Sequence, residues 1–320
     1  MDDEANPRPR RFDREVDGIL LLDKPTGISS NSALQQARRL FRALKAGHAG
    51  SLDPLASGLL PVCFGQATKV CGQLLESGKA YRVVARLGEQ TDTADAEGQV
   101  IATQPVPPLD RQTVEAAVAR FVGDQTQVPP MYSALKHEGK RLYELARQGE
   151  TVERAARHIH IGGIDVLRVE APEIELDVAC SKGTYIRTLV EDVARALGTL
   201  GHVTALRRLK VDAFGNPPMV TFAELEAAAA HGDFAALAAF LLPIDHVFMD
   251  LPRVDVDEAG ERHLTHGRRT WPAQGSMAPP DGRKARAYGP TGGFIGLVER
   301  QPDGALQPNR LFVRAAGLAV

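Results

Sequence analysis

Residues Gly47 to Leu60 read Gly-His-Ala-Gly-Ser-Leu-Asp-Pro-Leu-Ala-Ser-Gly-Leu-Leu, a run of glycine, small and apolar residues around one carboxylate, Asp53. An ionised group among apolar neighbours is costly unless something pairs with it. Gly47 and Gly50 permit left-handed or close-approach backbone, and Pro54 drives the residue before it out of the helical region. Asp53 is therefore expected on a shaped loop. The same letters also suit an Asp N-cap with a helix over Pro54 to Leu60, proline being a favoured first helical residue. Local sequence leaves both readings open.

Outward from that segment, strand and helix signals mix. Gly18 to Leu22 is a continuous apolar run that reads as a buried strand, and Asn31 to Leu44 reads as a helix capped by Ser30. Ala80 to Leu87 and Glu173 to Ala179 alternate as strands do. Arg111 to Val122 reads as a helix opened by Asp110 and closed at Gly123, and Tyr185 to Leu197 as one stopped by Gly198. A strict β-α-β rhythm is missing, so the spacing predicts an α+β fold with a mixed, largely antiparallel central sheet. Met1 to Val16, polar and carrying Pro7 and Pro9, reads as a disordered tail ahead of a main domain over 17–248. Past Leu251, the glycine-rich run Gly282 to Gly296 and strand-like stretches at Phe294 to Val298 and Arg310 to Val313 suggest a small β domain over 249–320.

The chain has 320 residues, 43% of them hydrophobic and 24% charged, enough to bury a substantial core. No apolar run approaches the roughly 20 residues that cross a bilayer, and the N-terminus is charged, so a cytoplasmic place without a membrane partner is expected. Cys63, Cys71 and Cys180 lack C-x-x-C spacing, which fits reduced thiols and no zinc site. His158 and His160 alternate along a strand with no third ligand beside them, the pattern of a solvated face. Gly72 to Lys79 misses P-loop spacing by one residue, and Ala80 stands where a hydroxyl would hold magnesium. Asp92, Asp95, Glu97 and Gly98 lack the alternate spacing and the terminal Glu of a calcium loop, so a polar turn between strands is expected there. The net charge of −2 announces no nucleic-acid partner, but its distribution is uneven. Arg38, Arg39, Arg42 and Lys45 form one basic cluster, Lys136, Lys140, Arg141 and Arg147 a second, and Arg207, Arg208 and Lys210 a third. Each alone is an ordinary solvated face; together they suit a surface that tracks phosphates.

Four stretches occur in an order that resembles one family: Gly18 to Ser30 (Gly-Ile-Leu-Leu-Leu-Asp-Lys-Pro-Thr-Gly-Ile-Ser-Ser), Gly47 to Leu60, Lys79-Ala80-Tyr81-Arg82, and Ser181-Lys182-Gly183-Thr184-Tyr185-Ile186-Arg187. The chain is similar to the bacterial TruB tRNA pseudouridine synthases from about Gly18 to Asp245. Ser51 departs from the family's usual threonine but keeps a hydroxyl. The resemblance implies the pseudouridine synthase fold, with an active-site cleft across the sheet, and isomerisation of uridine-55 in the T-loop of tRNA. It implies no cofactor. Val128 to Glu153, rich in basic residues and carrying Tyr132 and Tyr143, corresponds to an insertion that clamps RNA in the family; by itself it reads as a helical hairpin with a charged outer face. Relatives that depend on a guide RNA lack a comparable insertion, so a stand-alone enzyme with no guide RNA is implied; a monomer is expected. The segment near Gly267-Arg268-Arg269 is similar to the start of a PUA-type RNA-binding module.

Pseudouridine forms when uracil leaves the sugar C1′, turns and rejoins through C5, with no net redox change. Asp53 is the candidate nucleophile or base, and a desolvated carboxylate needs a cation to stay ionised. By its place in the family motif, Arg187 is that cation. Tyr81 offers a ring for the flipped uracil and a phenol near C5, against the plain alternative of half-buried strand packing. Tyr185 and Leu206 line the substrate pocket in the family's pattern. His48 is placed to fill the gap that an everted base leaves in the RNA stack. Lys24 and Pro25 would support the Asp53 loop. Two rival functions remain on sequence alone: a carboxylate-dependent nucleoside glycosidase, and an RNA-binding or tRNA-folding chaperone without catalysis.

Overall fold

The apolar run after Gly18 forms β1 (Gly18–Lys24), and the next helix, α1 (Ser30–Leu40), takes its cap from Ser29, whose side chain accepts from the Ser32 N–H. The cap is thus one residue earlier than expected. The helix also stops short of Leu44, because Arg42 takes a left-handed conformation (φ 50°) that breaks the helical path. This computed structural model describes residues 12–216, 218–230, 234–277 and 279–312.

Strands β2 (Ala46–His48) and β3 (Ser57–Phe64) bracket the Asp53 loop. The alternative helix over Pro54 to Leu60 does not form. Ser57–Phe64 instead pairs with β1 from Gly18↔Phe64 to Lys24↔Gly58, and β2 and β12 flank its other edge. Gly58 is required here: its φ is +95°, and a Cβ would stand 2.3 Å from the Arg208 carbonyl oxygen of a neighbouring strand.

Along the chain follow α2 (Cys71–Glu76), β4 (Lys79–Leu87), β5 (Glu89–Thr91), β6 (Val100–Thr103), α3 (Arg111–Ala119) and β7 (Gly123–Gln127). The segment expected as a helical hairpin is instead a tight β-hairpin, β8 (Lys136–His137) and β9 (Lys140–Arg141), followed by the short helix α4 (Leu142–Arg147). Glu138 (φ 49°) and Gly139 (φ 87°) make a two-residue turn whose handedness suits paired strands, and that turn ends any helix. Next come β10 (Arg157–Glu170), β11 (Glu173–Cys180), α5 (Ile186–Ala196), β12 (Gly201–Val211), α6 (Phe222–Ala230), α7 (Phe234–Ala238) and β13 (Leu241–Leu242).

The main sheet runs β13-β1-β3-β12-β4-β11-β10-β7, with β2 attached to β3. Its pairs are antiparallel except β12 with β3, as an α+β chain without β-α-β rhythm should give. Helices α3 and α5 cover the inner strands through Val114, Val118, Leu189 and Val193 on Val83, Leu176 and Val203. On the other half, α1 and α6 seal Leu20, Leu22, Leu60 and Val62. The amino end of β4, where Tyr81 stands opposite Arg208 and Arg208 opposite Gly58, and the amino end of α5 therefore meet beside the loop between β2 and β3.

A separate four-stranded sheet, β14 (Arg253–Asp255), β15 (Lys284–Tyr288), β16 (Phe294–Arg300) and β17 (Leu306–Leu311), follows with α8 (Glu258–Thr265) and its own core of Val254, Leu264, Ala285, Ile295 and Leu306. Its last strand begins earlier than the sequence suggests, and Val313 lies outside the described residues. Phe294, Leu297 and Phe312 pack it onto Val70, Leu74 and Phe248 of the main domain. Of the expected tail, residues 1–11 lie outside the described residues, whereas Asp13 and Arg14 donate their N–H groups to the Arg42 carbonyl, so this end is held in place and not disordered. His158 and His160 are exposed on β10 as a solvated face should be, and no metal-holding cluster occurs among the described residues. Among those residues no helix is long and apolar enough to cross a membrane.

Candidate active site

Asp53 sits on the loop between β2 and β3, and the loop is fastened on both sides of it. The Ser30 hydroxyl donates to the Leu52 carbonyl (2.9 Å) and accepts from the Leu52 N–H (2.7 Å), while the Gly27 N–H reaches the Pro54 carbonyl (2.8 Å). Lys24, fully buried, donates to the carbonyls of Pro25 (2.8 Å) and Ile28 (2.7 Å), which shapes the turn that holds Pro54. Lys24 and Pro25 thus lie in the turn beneath the loop and do not touch the Asp53 carboxylate through any hydrogen bond.

Arg187, in the first turn of α5, is 5% exposed and extends its guanidinium to the Asp53 carboxylate at 3.0 Å. Its other donors are fixed by the Thr93 carbonyl (2.9 Å) and the Tyr132 carbonyl (2.6 Å), and Asp95 lies 3.7 Å away. Asp95 is itself buried and accepts from the Thr93 hydroxyl (2.6 Å) and the Glu97 N–H (3.1 Å). The guanidinium can therefore hardly rotate. The Asp53 side chain remains 42% exposed toward the open side, yet the packing around it raises its pKa, with Arg187 as the main opposing influence and Asp95 adding to the rise. Arg187 limits the rise without cancelling it.

Tyr81 on β4 and Tyr185 at the start of α5 both feel the Asp53 charge. Burial pushes both phenols up, opposed at Tyr81 by the neighbouring Arg208 guanidinium. Gln127 grips the Tyr185 backbone from both sides, accepting from its N–H (2.8 Å) and donating to its carbonyl (3.0 Å). His48 ends β2, with Nδ1 buried and unpartnered; burial, then Arg208 and Arg141, lower its pKa and keep the imidazole neutral. A neutral ring is the form that can stack in a vacated base position. Leu206 packs on the same core as Tyr81 and Leu55, and it also lines a cleft of about 470 Å³ with Thr26, Leu55, Ser57, Glu97 and Thr204. That cleft borders the Asp53 loop but does not include Asp53 itself.

Three residues enter the site that sequence reasoning placed elsewhere. Asp95 belongs to the polar turn between β5 and β6, Ser30 was expected as a helix cap, and Arg208 was grouped with surface cations. Arg208 is 1% exposed and donates to the carbonyls of Leu59 (2.6 Å) and Gly50 (3.0 Å), so it braces the loop's entry and cannot track phosphates. Its neighbours Arg207 and Lys210 pair with Asp23 and Asp212. In the first basic cluster Arg38 caps the carbonyls of Ala43 and Leu44, and Arg42 pairs with Asp13. The phosphate surface expected from three clusters thus contracts toward the insertion.

Family profiles match the chain in three consecutive parts, from residue 38 to residue 312. "TruB family pseudouridylate synthase (N terminal domain)" covers residues 38–186, "tRNA pseudouridylate synthase B C-terminal domain" covers 187–249, and "Pseudouridine synthase II TruB, C-terminal" covers 252–312. The tRNA pseudouridine synthase B of Chromohalobacter salexigens is 50% identical over 96% of this chain and 98% of its own. The chain belongs to the TruB family of tRNA pseudouridine synthases. The Sodalis glossinidius protein of the same name is 48% identical over 95% of this chain and 97% of its own. Among solved structures, "Structure of H/ACA RNP bound to a substrate RNA containing 2'-deoxyuridine" superposes with a TM-score of 0.69 at 21% identity, over 98% of this chain and 92% of that one. "Crystal Structure of a Cbf5-Nop10-Gar1 Complex" gives 0.68 at 23% identity, over 92% and 85%. These likenesses establish the pseudouridine synthase fold of the TruB chain. Membership makes the protein an isomerase.

Proposed function

We propose that this TruB protein converts uridine-55 in the T-loop of tRNA to pseudouridine, acting alone as a monomer in the cytoplasm, with Asp53 as the nucleophile. One observation carries the assignment: a half-open carboxylate is held at 3.0 Å by a guanidinium that is itself immobilised by two carbonyls and a buried acid. Such a group is oriented before the substrate arrives, so no reorganisation is needed during reaction. The base is extracted from the stack, His48 occupies the gap, and Tyr81 and Tyr185 flank the flipped uracil. The C1′–N1 bond breaks, the ring turns, C5 bonds to C1′, the C5 proton passes to solvent and N1 takes one up, so the product is an isomer of the substrate. Extraction costs roughly a few kcal/mol, less for a loop base, which suits the T-loop as a target. The C-terminal sheet is a PUA-like module that adds RNA contact.

The nearby acids Asp95 and Glu97 favour one second reading, a glycosidase with two carboxylates. Asp95, however, is turned inward to Thr93 and Arg187. A T-stem-loop transcript with tritium at C5 of the target uridine tests both. Release of label without free uracil supports isomerisation, whereas free uracil supports hydrolysis. Asp53→Asn should abolish release while RNA affinity holds; loss of affinity together with activity would make Asp53 structural.

A further inference from the structure

At the root of the insertion, Lys136, His137, Arg154 and Arg157 converge on a cavity of about 200 Å³ floored by Pro129 and Leu142. Glu153 is the only acid among its lining residues. Elsewhere in this protein cations are spent on internal partners, as Arg38, Arg42, Arg207 and Arg208 are. Here no ion pair is formed by any of the three flexible cations among the described residues, and the Nε of Arg154 is buried with no acceptor at all. A buried N–H without a partner is costly, and such a group in a cationic pocket is a donor waiting for an anion. The pocket also adjoins the reaction site. Arg157 is close enough to influence the Tyr185 phenol, and Pro129 leads by three residues to Tyr132, whose carbonyl fixes Arg187.

We infer that this pocket seats one phosphodiester group of the RNA backbone, with Arg154 and Arg157 as its principal donors, and so sets the register of the strand that carries the everted nucleotide. The inference rests on the proposed tRNA substrate and names a contact within it. An arginine fork matches two phosphate oxygens at once, while Lys136 and the His137 ring close the rim. A phosphate there would satisfy the Arg154 Nε and outweigh Glu153 in a pocket otherwise positive.

The test measures the affinity of full-length wild-type, Arg154→Gln, Arg157→Gln and Lys136→Gln proteins for an unmodified T-stem-loop transcript across a potassium chloride series. Each arginine variant should bind roughly tenfold more weakly, the size of one charge-assisted hydrogen bond, and the slope of log affinity against log salt should flatten by about one. Lys136→Gln, on the exposed rim, cannot threaten folding and should show the same slope change in smaller measure. Unchanged affinity and slope in all three variants would overturn the inference. So would inorganic phosphate at constant ionic strength raising the wild-type melting temperature while the variants bind RNA normally, because the pocket would then hold a free anion. If wild-type protein released no label, the proposed reaction would fail, but the salt slopes would still judge the pocket.

Discussion

Arg187→Gln removes the cation that contacts both Asp53 and Asp95 and leaves two buried carbonyls, Thr93 and Tyr132, competing for one amide. Breaking a buried pair by deleting one partner costs about 3–5 kcal/mol. The Asp95 side chain is 6% exposed, so its loss is felt in full, but Asp53 at 42% is screened by water, which places the cost near the lower end, about 3 kcal/mol. For a chain of this size that lowers Tm by roughly 4–5 °C. The pKa consequence is more specific. Arg187 is the main influence opposing the burial that raises Asp53, so its removal must raise Asp53 further. An aspartate whose folded pKa lies above its unfolded value of 3.8 contributes most to stability below that value, and the contribution is lost as pH rises through the folded pKa. Activity runs the other way, since only the ionised form attacks. Label release at low transcript concentration, followed against pH, reads the free enzyme's acidic limb. That limb should move to higher pH in Arg187→Gln, with activity near neutrality down roughly 100-fold. A fall in Tm with the limb unmoved would make Arg187 a purely structural residue and refute the reasoning.

Asp95→Asn should give the opposite sign, because Asp95 pushes the Asp53 pKa up; the acidic limb should move to lower pH, while a less firmly held Arg187 reduces the maximal rate. A limb that shifts upward would contradict the charge relation. Ser30→Ala deletes both bonds to Leu52 and should cost about 1–3 kcal/mol in urea unfolding, with kcat reduced more than KM rises, since loop placement and not RNA contact is lost. Lys24 is lowered to about 8 by burial from 10.5, so the folded protein gives up this proton before the unfolded chain does. Wild type should therefore gain stability over Lys24→Met as pH rises from about 8 toward 10.5, by at most roughly 3 kcal/mol, and a flat difference across that window would show Lys24 to be unperturbed.

How far the site could be read in sequence depended on whether its chemistry was local. The β1 run, the Asp110 cap and the alternation of β4 and β11 are properties of a few adjacent residues, and each appears in the structure within one or two positions, apart from α3, whose helix ends three residues before Val122. The placement of Asp53 on a loop needed a decision between a helix and a strand after Pro54, and only the partner strand β1 makes that decision. Asp95 was invisible for the same reason. Nothing in Thr91 to Gly98 signals that one of its acids faces a guanidinium from α5, because that meeting is made by β12, which accepts the turn through the Ala96 N–H to Val203 carbonyl bond (2.8 Å) and its return from Val203 to Ala94 (3.1 Å). Arg208 misled because a cluster of like letters on an alternating strand divides between two faces: Arg207 reaches Asp23, and Arg208 turns into the core.

The charges gathered at the loop explain why so much structure is spent on one guanidinium. Asp53, Asp95 and Glu97 are three carboxylates within mutual influence, and Lys24 and Arg187 are the cations set against them. An arriving RNA brings further negative charge at the moment Asp53 must be ionised, which by itself would favour the protonated, unreactive acid. An exposed lysine could swing toward the phosphates and abandon the carboxylate. Arg187, pinned by the Thr93 and Tyr132 carbonyls, cannot leave. In the proposed complex separate cations serve the RNA backbone: Arg141 of the insertion lies near enough to help lower the His48 pKa, and Arg157 at the start of β10 near enough to oppose the rise at Tyr185. In the proposed reaction this division of labour lets one set of positive charges hold the polyanion while another, fixed in place, keeps the Asp53 carboxylate charged beneath it.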